Sequence, residues 1–126
     1  MELRGFDVPS FAKNLWITQK HLKALESDGH KIGLHSHSHP TAIHQLPKKA
    51  QKKEFSVNYE ILSAVLTEPI NTMSHPCGMY NADTLEVLKS LGIVVGFVAD
   101  FSMPEGFSSL EIPREDHANI IKDLKQ

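Results

Sequence analysis

Five of the eight histidines fall between His30 and His44, and three of them alternate in His35-Ser36-His37-Ser38-His39-Pro40. Neutral imidazole is the commonest protein ligand for divalent transition metals, and two imidazoles a turn apart can approach one ion from the same side. If His35 ends a strand and His39 begins the next helical turn, their side chains converge, which makes the two residues candidate metal ligands. His37 would then point elsewhere, as a donor behind the ligands or to solvent. Imidazole ligation favours zinc among divalent ions, although site geometry and availability can select another metal. A polar loop that is merely rich in histidine is the competing reading of the same residues.

A second group lies downstream in His75-Pro76-Cys77-Gly78-Met79-Tyr80, and Asp100 follows an apolar run. Asp100 is placed to project a carboxylate toward the same rim, or to serve as a turn residue. His75 and His117 are candidate proton donors. Cys77 with His75 or His39 as base makes a conceivable nucleophile pair. It sits, however, in a Pro-x-Gly turn with no nucleophile motif around it. Asp7, in Gly5-Phe6-Asp7-Val8-Pro9, reads as a surface or capping residue.

The elements that must carry these groups alternate in type. Trp16-Ile17-Thr18 opens a helix with Thr18 as its cap, Leu22 and Leu25 on one face and Gly29 as its stop. Lys31 to His35 reads as a short strand that delivers His35 to a rim. A longer helix is expected from about Pro47 to Leu66, with Val57, Ile61 and Ala64 as its apolar line and Phe55, Tyr59, Leu62 and Leu66 beside it. Thr72 to His75 reads as another strand. Asn81 caps a helix carrying Leu85, Leu88 and Leu91, with Asp83 in its first turn and Gly92 as its end. Ile93 to Ala99 reads as a parallel strand covered on both faces. A short strand at Leu110 to Ile112 and a helix from about His117 to Leu124 complete the order. The sum is an α/β fold with a mainly parallel sheet. Reactive groups in such folds collect beyond the C-terminal strand ends, so His35 to Pro40, His75 to Tyr80 and the segment from Asp100 should meet.

Composition narrows the classes. A chain of 126 residues suits one domain, and 40% hydrophobic with 22% charged residues is ordinary for a globular protein. A net charge of −2 argues against a nucleic-acid binder. Lys48, Lys49, Lys52 and Lys53 read as the solvated face of a helix. One cysteine, Cys77, excludes an internal disulfide framework. Met1 to Leu15 contains Glu2, Asp7 and Pro9 where a secretory signal needs a continuous apolar core, and Ile93 to Ala99 is far short of the roughly 20 residues that span a bilayer. The expectation is a chain that stays where it is made if Met1 is the true start, without membrane or nucleic-acid partners.

The string from Gly29 to Pro40, GHKIGLHSHSHP, resembles the second motif of the polysaccharide deacetylase family, carbohydrate esterase family four. That motif is a Gly-His-Glu-Ile-Gly-like strand followed by His-(Ser/Thr)-x-x-His, and Lys31 stands where Glu is frequent. His75 to Leu85 is similar to the family's third motif, in which a Pro-aromatic-Gly-x-Tyr-Asn stretch forms one wall of the sugar groove. Cys77 takes the aromatic position, and Ser74 stands near where many members carry an arginine. The resemblance spans about Trp16 to Leu91, with a fainter continuation through Ile112-Pro113-Arg114.

The resemblance implies a partial (β/α) barrel, metal-assisted hydrolysis of an N-acetyl group on a carbohydrate, His35 and His39 as ligands, and Pro76, Cys77, Gly78 and Tyr80 against substrate. Family members open with a strand ending Thr-Phe-Asp-Asp-Gly, whose aspartates serve as base and as third ligand. Nothing here matches it, so the domain is expected to be N-terminally incomplete. A catalytically incomplete fragment that binds metal or sugar is the alternative function. The uncovered sheet edge invites pairing with another chain, so a homo-oligomer is also expected.

Overall fold

The computed structural model describes residues 15–99, 106–115 and 120–121. Helix α1 is Gln19–Ser27, α2 is Lys48–Ser63, β1 is Thr72–Ser74, α3 is Ala82–Ser90, β2 is Val95–Val98 and β3 is Ile112–Pro113. Short 3-10 turns occupy Ile43–Gln45 and Pro76–Gly78. Among the described residues, no helix is long and apolar enough to cross a membrane.

Both capping expectations hold. Thr18 accepts from the His21 amide at 3.3 Å. Asn81 accepts from the Thr84 amide at 3.0 Å while Thr84 Oγ accepts from the Asn81 amide at 3.1 Å. Each cap thereby satisfies amides that a helix start leaves free. Gly29 and Gly92 follow the two helices at φ +87° and +78°, the left-handed turn that ends a helix with least strain at glycine.

The sheet is parallel throughout, in the order β1-β2-β3. Thr72, Met73 and Ser74 pair with Val95, Gly96 and Phe97, and Phe97 and Val98 pair with Ile112 and Pro113. Gly96 is required by the packing, since a Cβ there would lie 2.3 Å from the Leu110 carbonyl oxygen. The strand expected over Lys31 to His35 contracts to a single parallel bridge between Leu34 and Met73. Leu34 donates to Thr72 O and accepts from Ser74 N, both at 2.9 Å. The ladder stops there because Ser36, whose amide would donate next to Ser74 O, turns left-handed at φ +65°, and the His35 ring takes that carbonyl instead at 2.8 Å. The His35 amide, which faces away from β1, bonds the Asn58 side chain at 3.0 Å.

Helix α2 packs its Gln51 and Phe55 line inward, with Tyr59 and Leu62, and Leu66 just beyond the helix end, against the core. This corrects the expected apolar line, for Ile61 is 49% exposed. Phe55 carries more apolar surface than Val57 or Ala64, and full burial of such a ring contributes about 1.5–3 kcal/mol. Gln51 is tolerated at 0% exposure because Nε2 donates to Leu46 O at 2.9 Å and Oε1 accepts from Thr84 Oγ at 2.5 Å. That second bond ties α2 to α3. Strand β2 alternates, with Gly96 and Val98 buried and Val95 and Phe97 half-exposed, so it is covered fully on one face rather than on both. The four lysines of α2 are exposed as expected, and Lys48 pairs with Glu86 and Asp83. The helix expected from His117 lies largely outside the described residues.

Candidate metal centre

The bridge at Leu34 sends the chain out of the sheet at His35. The His35 ring turns back so that Nδ1 lies 2.8 Å from the Ser74 carbonyl oxygen. A carbonyl only accepts, so Nδ1 carries the proton, and in the neutral ring Nε2 presents its lone pair outward. His39 meets it there. The two Nε2 atoms are 3.1 Å apart and the ring centroids 4.9 Å apart. Either one proton between the nitrogens or one cation satisfies this pair.

Two nitrogens bound to one ion at about 2.0–2.1 Å and at angles of about 90–110° are separated by about 2.9–3.4 Å, so the pair fits a shared divalent ion. A backbone carbonyl fixing the remote nitrogen is also the usual support of a ligating histidine. The expected helical turn at His39 is not what brings it round. His39 instead has φ +55° and Ser36 φ +65°, two left-handed residues that fold the loop back on itself. The third non-glycine residue with positive φ among those described is Cys77, at +53°. All three lie in the loops singled out for chemistry, where strain of this kind is characteristically retained.

His35 also lines a cleft of about 250 Å³, together with Lys31, Gly33, Ser74 and Phe97. The 75–80 loop stands beside it. His75 is 2% exposed, donates Nε2–H to Leu110 O at 2.8 Å, and leaves a buried Nδ1 without a partner. Burial holds its pKa below the ordinary histidine value, against the opposing pull of the Leu110 carbonyl and Glu111. Its ring lies 4.5 Å from that of Tyr80. The Tyr80 hydroxyl in turn bonds Glu111, whose carboxyl is held low mainly by the Ser108 hydroxyl. Pro76 is buried, Gly78 and Tyr80 are half-buried, and Cys77 is exposed.

The structure thus brings His35, His39 and the Ser74–Tyr80 segment together. Asp7, Asp100 and His117 lie outside the described residues. Among the described residues no cluster of three or more metal-ligating side chains occurs. Sequence reasoning missed Glu54 and Asn58. Glu54 accepts from the His37 and Ser38 amides at 3.2 and 2.8 Å and from the Ser38 hydroxyl at 2.8 Å. Asn58 holds His35 as described above. Their signal was an acid and an amide four residues apart, flanking the apolar line of α2.

Comparison with known proteins places the fold. The structure is similar to a deacetylase from Streptococcus pyogenes solved with acetate, with TM-score 0.67 and 22% identity over 84% of this chain and 50% of that one. A family 4 carbohydrate esterase from Streptomyces lividans, also with acetate, gives TM-score 0.59 and 21% identity over 65% of this chain and 42% of that one. A CE4 family pseudoenzyme from Bacillus anthracis gives 0.58 and 12%, covering 85% and 46%. The chain therefore spans about half the length of these structures. At such identities the likeness concerns the fold. No match to a curated protein was found. The family model for polysaccharide deacetylase matches residues 8–96, which include the His35–His39 loop and the Ser74–Tyr80 segment, and the chain belongs to that family.

Proposed function

We propose that the chain carries the histidine half of a metal-dependent carbohydrate N-deacetylase centre, with His35 and His39 holding one divalent ion, zinc by preference. The observation that carries this reading is the 3.1 Å approach of the two Nε2 atoms with His35 Nδ1 fixed by Ser74 O. When bound, such an ion supplies Lewis-acid chemistry, polarising a carbonyl oxygen and acidifying water. The chain's own residues orient the reactants. His35 and Ser74 line the cleft that would admit an acetamido group, and Pro76, Cys77, Gly78 and Tyr80 form the neighbouring wall for the sugar. His75 serves as an anchor of that wall, since its Nε2 proton is committed to Leu110 O. Proton transfer falls to groups outside the described residues, with Asp100 and His117 as candidates and an upstream Asp-Asp strand as the stronger source of a base and third ligand. General acid and base catalysis is worth about 100 to 10,000-fold, so the chain without that strand should release little acetate.

The test is acetate release from N-acetylglucosamine oligomers at matched zinc occupancy. The chain alone should be weak, a chain extended upstream with a Thr-Phe-Asp-Asp-Gly-like strand active, and His39→Ala in the extended chain silent. Robust turnover by the chain alone would show that the upstream carboxylates are dispensable.

A further inference from the structure

The left-handed residues Ser36 and His39 oppose the loop's own conformational preference, at a cost of roughly 1–2 kcal/mol each. Such a loop keeps its shape only where its surroundings over-determine it. Those surroundings are two side chains of α2, one turn apart. Asn58 Oδ1 accepts from the His35 amide at 3.0 Å. Both oxygens of Glu54 are engaged, Oε2 by the His37 and Ser38 amides and Oε1 by the Ser38 hydroxyl at 2.8 Å. The Ser36 hydroxyl accepts from the His39 amide at 3.2 Å. The amides of His35, His37, Ser38 and His39 thus all bond side chains, two of which belong to one helix face. Burial alone would raise the Glu54 carboxyl, but the bonds from Ser38 and His37 outweigh it and hold the group ionised. Hydrogen bonds to a charged acceptor are roughly twice as strong as neutral ones.

We propose that Glu54, assisted by Asn58, is the positioning residue of this centre, clamping the 35–39 loop so that the His35 and His39 Nε2 atoms stand at the spacing one cation requires. The proposal rests on the metal reading above. It assigns to α2 a part in cation affinity although neither side chain touches the ion.

The experiment measures zinc affinity by competition with a chromophoric chelator and amide hydrogen exchange by NMR, on the chain as it exists. Supporting groups behind metal ligands typically contribute 10–100-fold to affinity, so Glu54→Ala should weaken zinc binding by about that factor and speed exchange at His37 and Ser38. Glu54→Gln keeps one oxygen acceptor and should recover part of both. Asn58→Asp should stay near wild type, whereas Asn58→Ala should weaken binding. Glu60→Ala removes an equal charge from an exposed position of the same helix and should change neither readout, which separates geometry from long-range attraction. Zinc affinity and exchange both unchanged in Glu54→Ala would overturn the proposal. If the wild-type chain took up no zinc, the metal reading would fall by itself. The exchange rates would then decide alone, with acceleration confined to the 35–39 loop supporting the clamp and unaltered protection refuting it.

Discussion

Gly33→Ala tests how tightly the sheet edge sets the site. Gly33 is not in the left-handed region, so alanine can adopt its backbone angles, and the stiffer unfolded chain would by itself favour the variant by about 0.4–1 kcal/mol. Space decides otherwise. An added Cβ would lie 2.7 Å from Thr72 Oγ and 2.8 Å from the Thr72 carbonyl oxygen. The hydroxyl can rotate away, but the carbonyl cannot, because it accepts from the Leu34 amide at 2.9 Å. Overpacking of this kind costs about 1–3 kcal/mol, leaving a net loss of about 1–2 kcal/mol in urea denaturation. The Leu34 segment must shift, and His35 shifts with it away from Ser74 O, so zinc affinity should fall by about tenfold. Gly92→Ala is the companion. It has φ +78° with open space around it, so it should lose about 1–2 kcal/mol through backbone strain without altering zinc affinity. A Gly33→Ala protein as stable as wild type with unaltered zinc binding would refute the idea that the Leu34 bridge fixes the centre.

Three further outcomes follow from packing and charge. Gln51→Leu conserves volume but leaves the Leu46 carbonyl without its donor and cuts the Thr84 hydroxyl back to its bonds with Asn81, and thermal unfolding should show a loss of about 1–2 kcal/mol. Asn81→Ala removes the α3 cap and the bond from Asn81 Nδ2 to His44 O, for a loss of about 1–2 kcal/mol by the same measurement. For His75 the folded pKa lies below the unfolded value of about 6.5, so the unfolded chain takes up the proton first and stability is lost as pH falls below about 6.5. His75→Gln should flatten that part of a stability-against-pH profile.

Helix starts were readable because a cap is a local event. Thr18 and Asn81 satisfy amides three residues away, and the sequence places them next to the apolar periodicity they introduce. The histidine pair was readable for the same reason, being separated by only four residues. The strand over Lys31 to His35 was overextended because its end is set by the left-handed turn at Ser36 and by the His35 ring, which takes the Ser74 carbonyl, 39 residues distant, that a further ladder bond would need. Separations of 16 and 17 residues from Ser38 and His37 hid Glu54. The apolar face of α2 was misplaced because Gln51, polar by type, is made acceptable in the core by Thr84 and Leu46, partners that no periodicity in α2 announces.

The most direct test of the centre is zinc stoichiometry by equilibrium dialysis with elemental analysis. The chain should retain about one zinc, and His35→Ala combined with His39→Ala should retain none while its circular dichroism and unfolding midpoint stay close to wild type, since both rings are exposed and belong to no core. Undiminished zinc in the folded double variant would remove both histidines from the site and contradict the account.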